Sequence, residues 1–87
     1  MKIKFTETGW KDYIYWEGQD KKILRKINRL IEDIERNGKS GIGEPEALSG
    51  GLSGWMSRRI DEKNRLVYRI NGDSMEISQG HGHYADK

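Results

Sequence analysis

The 87 residues include no cysteine. Disulfides, thiol nucleophiles and cysteine-based zinc sites are therefore excluded, and the fold must hold without covalent staples. That suits a reducing compartment. No apolar run approaches the ~20 residues of a membrane span. The stretch from Met1 to Phe5 is too short and too charged for the apolar segment of a signal peptide. A soluble, cytoplasmic protein with no membrane contact is the expectation. Proline occurs once, at Pro45.

Charge and aromatics are plentiful by contrast. Charged residues make up 34% of the chain and hydrophobic ones 33%, with three Trp, four Tyr and one Phe. Disordered segments are poor in aromatics, so a folded but very polar globule is expected. The length fits a single domain, residues 1–87. A domain of this size buries only about 60% of the surface its unfolded chain exposes, so its core is modest. The net charge of +2 is a mild bias; what matters is where the charge sits.

The periodicity predicts the elements in turn. KIKFT at Lys2 to Thr6 alternates, with Ile3 and Phe5 on one side of a short strand. Trp10, Tyr13 and Ile14 are spaced i, i+3, i+4, which predicts a short helix ending near Gly18. Asp20 is a good N-cap for a second helix. There Ile23, Leu24, Ile27, Leu30, Ile31 and Ile34 form one apolar stripe, and Asn37-Gly38 stops it. Its basic face is read first as solvated surface and second as a docking face. Residues 38–54 form a long loop with six glycines, of a length often tied to function.

Three strand-like runs follow. Met56, Ile60, Leu66, Tyr68 and Ile70 share one face; Arg58 interrupts it, and snorkelling is the sequence-level explanation. Asn71-Gly72 predicts a type I′ hairpin loop, with Ile70 opposite Asp73, Tyr68 opposite Met75 and Leu66 opposite Ile77. The order β-α-α-β-β-β predicts an α+β fold, with both helices packed on one face of an antiparallel sheet.

The opposite sheet face then carries Ser57, Arg59, Arg65, Val67 and Arg69. Arginine forks bind phosphate oxygens bidentately, so this face is a place for an RNA backbone. An exposed antiparallel face is also ordinarily polar, so the pattern alone does not choose. In this register Asp61 faces Arg65. Glu46 stands in the glycine-rich loop, and His81, His83 and Tyr84 follow the last strand. A carboxylate, a histidine and arginines are the groups that metal-free RNA cleavage needs. A base takes the ribose 2′-OH proton, cations steady the phosphate, and an acid protonates the departing 5′-oxygen. His81-Gly82-His83 also reads as half a metal site, the weaker reading with two ligands and no partners.

These residues bring a resemblance into view. Trp10, Asp12-Tyr13 and Tyr15-Trp16 are part of it, as are Lys26-Ile27-Asn28, Leu30-Ile31, Gly41, Gly43, Pro45-Glu46 and Leu48. So are Leu52-Ser53-Gly54, Ser57-Arg58-Arg59-Ile60, Arg65-Leu66-Val67-Tyr68 and His83-Tyr84. In this order they resemble the YoeB/Txe branch of the RelE toxin superfamily, almost end to end. The resemblance implies a RelE-like microbial RNase fold and an endoribonuclease that cuts mRNA in the ribosomal A site. It implies neutralisation by a YefM/Axe-type antitoxin and, in several members, a homodimer. It implies Glu46 as general base, His83 as general acid, Arg65 at the phosphate and Tyr84 orienting the scissile nucleotide. Arg59 binds RNA in this picture, with Arg58, Arg69 and His81 counted beside it; no metal or other cofactor is implied.

The chain departs from the family pattern at Ser49, Met56, Asn64 and His81-Gly82, and Ala85-Asp86-Lys87 extends past the His-Tyr pair. Two rivals remain. One is a basic module that docks on RNA or ribosomes without cutting, and the other is a ribonuclease that needs no ribosome.

Overall fold

The longest apolar stripe in the sequence becomes the spine of the core. The computed structural model describes residues 1–83. Helix α2 spans Lys21–Asn37 and buries Ile27, Leu30, Ile31 and Ile34. Asp20 caps it: Oδ1 accepts from the backbone N–H of Lys22 at 2.9 Å and of Ile23 at 3.3 Å. These donors have no partner within the first turn. The helix stops where Gly38 takes a φ of 63° and donates its N–H to the Ile34 carbonyl at 2.8 Å. Glycine enters that left-handed region without steric cost.

Helix α1, Glu7–Gln19, starts at Thr6, whose hydroxyl accepts from the Gly9 N–H at 3.0 Å. Its inward face is not centred on the Trp10, Tyr13 and Ile14 spacing. Trp10 and Ile14 are 51% and 41% exposed. The buried residues are Gly9 and Trp16, with Tyr13 packed against the core. Gly9 explains the difference, because a Cβ there would collide with the Ile77 carbonyl oxygen. The helix lies against the sheet at its glycine, and Trp10 is turned about 100° away. Trp10 stacks on Tyr13 instead, with ring centroids 6.0 Å apart, and meets Phe5 edge-on at 5.5 Å.

The strands are β1 Lys2–Phe5, β2 Glu46–Ala47, β3 Met56–Arg59, β4 Arg65–Asn71 and β5 Ser74–Gln79, in the sheet order β1-β5-β4-β3-β2. The α+β class and the two helices on the sheet are as expected. The sheet itself is mixed: β2 to β5 run antiparallel, and β1 pairs with β5 in parallel. Parallel neighbours need a long crossover, and the two helices begin that connection. As an edge strand β1 leaves Ile3 40% exposed. The loop between α2 and β3 is also partly regular, holding β2 and a 3-10 turn at Gly50–Leu52.

The hairpin register differs by two residues. Asn71 pairs with Ser74, Ile70 with Met75 and Tyr68 with Ile77, so Gly72 and Asp73 form the loop. Gly72 has a φ of 61°, while Asp73 is not among the positive-φ residues. That is the type II′ pattern, with glycine at the first central position. A shift of two preserves the faces, so core residues still meet core residues. A bulge follows, and Val67 pairs with Gln79.

Arg58 corrects two expectations. It neither snorkels nor reaches the RNA face, because it is 0% exposed. Its side chain points to the helix side and all five guanidinium N–H groups find acceptors. Nε donates to the Tyr68 hydroxyl at 3.1 Å. One terminal nitrogen donates to Asp33 and to the Ile42 carbonyl, both at 2.7 Å. The other donates to the carbonyls of Gly38 at 3.0 Å and Ser40 at 2.8 Å. A buried cation is tolerated only when paired and hydrogen-bonded to this extent.

Two predictions follow from this packing. Gly9→Ala should destabilise the fold by about 2 kcal/mol through overpacking against β5. Gly18→Ala, where an added Cβ meets nothing within 4 Å, should be neutral or stabilising by about 0.5–1 kcal/mol. Urea midpoints of the two variants test the pair. The second prediction concerns pH. The Arg58 hydrogen bond, with help from the Ile42 N–H and Asn37, holds the Asp33 carboxyl below its ordinary 3.8 against the opposing effect of burial. A depressed folded pKa stabilises fully above the unfolded value and is lost as pH falls through the folded one. Wild type should therefore exceed Asp33→Asn in stability at neutral pH, with the gap closing only below pH 3.8.

Candidate active site

The pleat puts Ser57 and Arg59 of β3, and Arg65 and Val67 of β4, on the face opposite the helices. Arg59 lies directly opposite Arg65, and Glu46 of β2 lies opposite Ser57. The arginine pair thus shares one face, as the pattern predicted. Asp61 does not face Arg65. Its carboxylate turns onto its own loop and accepts from the N–H groups of Lys63 at 2.9 Å and Asn64 at 2.8 Å. Burial pushes the Asp61 carboxyl up, but these donors and the Asn64 amide outweigh it and hold the group below its ordinary value.

Like charges directly opposite one another repel. Here each arginine meets a glutamate. Arg59 pairs with Glu44 at 3.1 Å, and Arg65 lies 3.8 Å from Glu46. The Arg65 side chain is only 14% exposed, and its Nε donates to the Ser57 hydroxyl at 3.2 Å. Ser57, Val67 and Gln79 are buried on this face, which is therefore less open than an ordinary solvated one.

The chain after β5 folds back over the same end of the sheet. Helix α1 fixes its start: the Gly80 N–H donates to Asp12 at 2.9 Å, and the Trp16 indole donates to the Gly80 carbonyl at 2.8 Å. His81 then stacks on Tyr15 at 4.4 Å and meets Trp16 edge-on at 5.0 Å. Gly82 is tied at both ends. Its N–H donates to the Asn64 side chain at 2.8 Å, and its carbonyl accepts from the Arg65 N–H at 3.0 Å and the Gln79 amide at 3.1 Å. His83, the next residue, borders a cleft of about 600 Å³ with Trp16, Lys63, Asn64 and His81.

The structure therefore gathers Glu46, Arg59, Arg65 and the His81–His83 segment at one end of the sheet. Arg69 stands apart, four residues along β4 and thus about 13 Å from Arg65. It is paired with Glu76 at 2.8 Å and lies over the Trp55 ring at 4.4 Å. Arg58 belongs to the core, as described above. Tyr84 and Ala85-Asp86-Lys87 lie outside the described residues.

Several positioning groups had no prominence in the sequence. Asp12 is one, although its i, i+4 spacing from Trp16 places both on one helix face. Asn64 is another: it departs from the family pattern, yet it braces both Asp61 and Gly82. Ser57 and Glu44 complete the set. In Asn64→Ala the amide of Gly82 should lose hydrogen-exchange protection while the α2 amides keep theirs. Unchanged protection at Gly82 would show that Asn64 does not hold the segment.

The chain is similar to known proteins in both sequence and fold. Residues 5–84 match the model of the YoeB-like toxins of bacterial type II toxin-antitoxin systems. Toxin YoeB of Streptomyces coelicolor is 50% identical over 84 residues, covering 97% of this chain and all of that one. A YoeB/ParE toxin from Agrobacterium tumefaciens superposes with a TM-score of 0.94 at 40% identity, covering 97% and 100% of the two chains. The YoeB dimer of Staphylococcus aureus gives 0.91 at 41% identity, covering 97% and 98%. That organism's heterotetrameric YoeB–YefM toxin–antitoxin complex gives 0.90 at the same identity and coverage. By sequence along almost its whole length and by fold, the chain belongs to the family of YoeB-like toxins of bacterial type II toxin-antitoxin systems.

Proposed function

We propose that this toxin is an endoribonuclease that cuts mRNA in the ribosomal A site and so arrests translation. The observation that carries the reading is the meeting of Glu46 and Arg65 at 3.8 Å beside the segment that leads to His83. Glu46 takes the proton from the ribose 2′-OH, and the 2′-oxygen attacks the adjacent phosphorus. The bond to the 5′-oxygen breaks, leaving a 2′,3′-cyclic phosphate. His83 supplies the proton that the departing 5′-oxygen takes up. Arg65 is already aligned by Ser57 and steadies the charge growing on the phosphate. Arg59 and His81 contact the flanking RNA, and Tyr84 orients the scissile nucleotide.

So small a domain has little surface with which to pre-position a substrate. The ribosome supplies that positioning, which is worth ~7–11 kcal/mol of a barrier. A YefM-type antitoxin neutralises the toxin, and the toxin self-associates as a dimer. Both readings extend to this chain what the Staphylococcus aureus relatives are described as forming. The protein acts in the cytoplasm, where translating ribosomes are.

The test is cell-free translation with primer extension on the message. Wild type should leave cuts at A-site codons and none on deproteinised RNA. Glu46→Ala and His83→Ala should each slow cutting by about 100-fold or more. Cutting by both at the wild-type rate would remove the proposed chemistry. Equal cutting of naked RNA would remove the ribosome requirement and leave the nuclease reading standing.

A further inference from the structure

We propose that Arg58 and Asp33 are positioning residues for Glu46, acting through the backbone that leads into β2. The proposal rests on the reading of Glu46 as general base. Strand β2 has only two residues, and both are exposed. So short a strand does not fix a side chain by its own ladder. The approach to it is fixed instead. Arg58 accounts for the carbonyls of Gly38, Ser40 and Ile42, and Asp33 accepts from the Ile42 N–H at 3.1 Å. A Cβ at Gly41 would overlap the Asp33 carboxylate, so the loop lies flat against this pair. The Gly43 carbonyl then accepts from the Arg59 N–H at 2.6 Å.

Glu44 follows with a φ of 51°, uncommon for a residue other than glycine. It also precedes Pro45, a place that disfavours helical backbone. Such a conformation persists only where its surroundings over-determine it. Two residues later Glu46 comes to lie opposite Ser57. Arg58 sits between Ser57 and Arg59 in β3. Its inward side chain therefore grips the loop from below, while its two neighbours meet Glu46 and Glu44 on the outer face.

A purely stabilising ion pair would lower activity only by unfolding molecules. A positioning pair lowers the rate of the folded ones. The experiment uses the full chain and programmed ribosomes, comparing wild type, Asp33→Asn, Arg58→Lys, Glu46→Gln and the double variant Asp33→Asn/Glu46→Gln. The folded fraction is measured by circular dichroism at the assay temperature. Asp33 lies at the rim of the core, so its variant keeps the test informative should Arg58→Lys fail to fold.

Folded Asp33→Asn should cut about ten-fold or more slowly under single-turnover conditions, with its half-saturating concentration little changed. Glu46→Gln should then cost less in the Asp33→Asn background than in wild type, because the base is already displaced. Wild-type cutting by folded Asp33→Asn beside an inactive Glu46→Gln would overturn the inference. So would costs that simply multiply in the double variant, since the two residues would then act independently. Wild-type cutting by Glu46→Gln itself would instead count against the proposed chemistry.

Discussion

The five hydrogen bonds of the Arg58 guanidinium are the constraint around which the sheet, the second helix and the long loop are arranged. A charge in the core is costly in proportion to what is left unsatisfied. Here Asp33 brings the countercharge from α2, Tyr68 brings a hydroxyl from β4, and the loop brings three carbonyls. The five acceptors come from three separate stretches of chain. The guanidinium is therefore a template: the loop can take few paths over the core that leave all five donors bonded. Among the described residues, no buried side-chain nitrogen or oxygen lacks a partner.

The candidate site lies on the other side of the same strand. In β3 the pleat alternates Ser57 outward, Arg58 inward and Arg59 outward. The inward arginine organises the loop, and the outward residues receive what the loop carries. Glu44 reaches Arg59, and Glu46 reaches the neighbourhood of Ser57 and Arg65. These acids offset the repulsion between two arginines set directly across from one another. The result is a concentrated but balanced group of charges. Under the proposed reading, an RNA phosphate would meet cations already oriented by Ser57 and the two glutamates.

Much of this was legible in the sequence, and the remainder was hidden for physical reasons. The stripe of α2, the Asp20 cap and the Gly38 stop are local facts and appear where the pattern puts them. The outward placement of Arg59 and Arg65 follows from a period of two. The pairing of β1 with β5 joins opposite ends of the chain, and the KIKF pattern contains nothing that names its partner. The inward face of α1 is decided by the close approach of Gly9 to β5, which is a tertiary fact. The hairpin slipped by two residues because Asn71-Gly72 and Gly72-Asp73 both make acceptable turns. The faces survived because two is an even number. Arg58 read as an interruption because its acceptors are loop carbonyls, which no hydrophobic pattern registers.

The residues that break the pattern are the ones that hold the irregular segments. Backbone outside helices and strands must still find hydrogen-bond partners when it is covered. Gly38, Ser40 and Ile42 find them in Arg58 and Asp33, and residues 80–82 find them in Asp12, Trp16, Asn64 and Gln79. Those two segments lead to Glu46 and to His83. A chain of this length without disulfides has few ways to fix irregular backbone, and buried polar side chains are the means used here. Local inconsistency with the hydrophobic pattern, an arginine in the core and an aspartate on the inner face of a helix, thus marks where the fold supports its site.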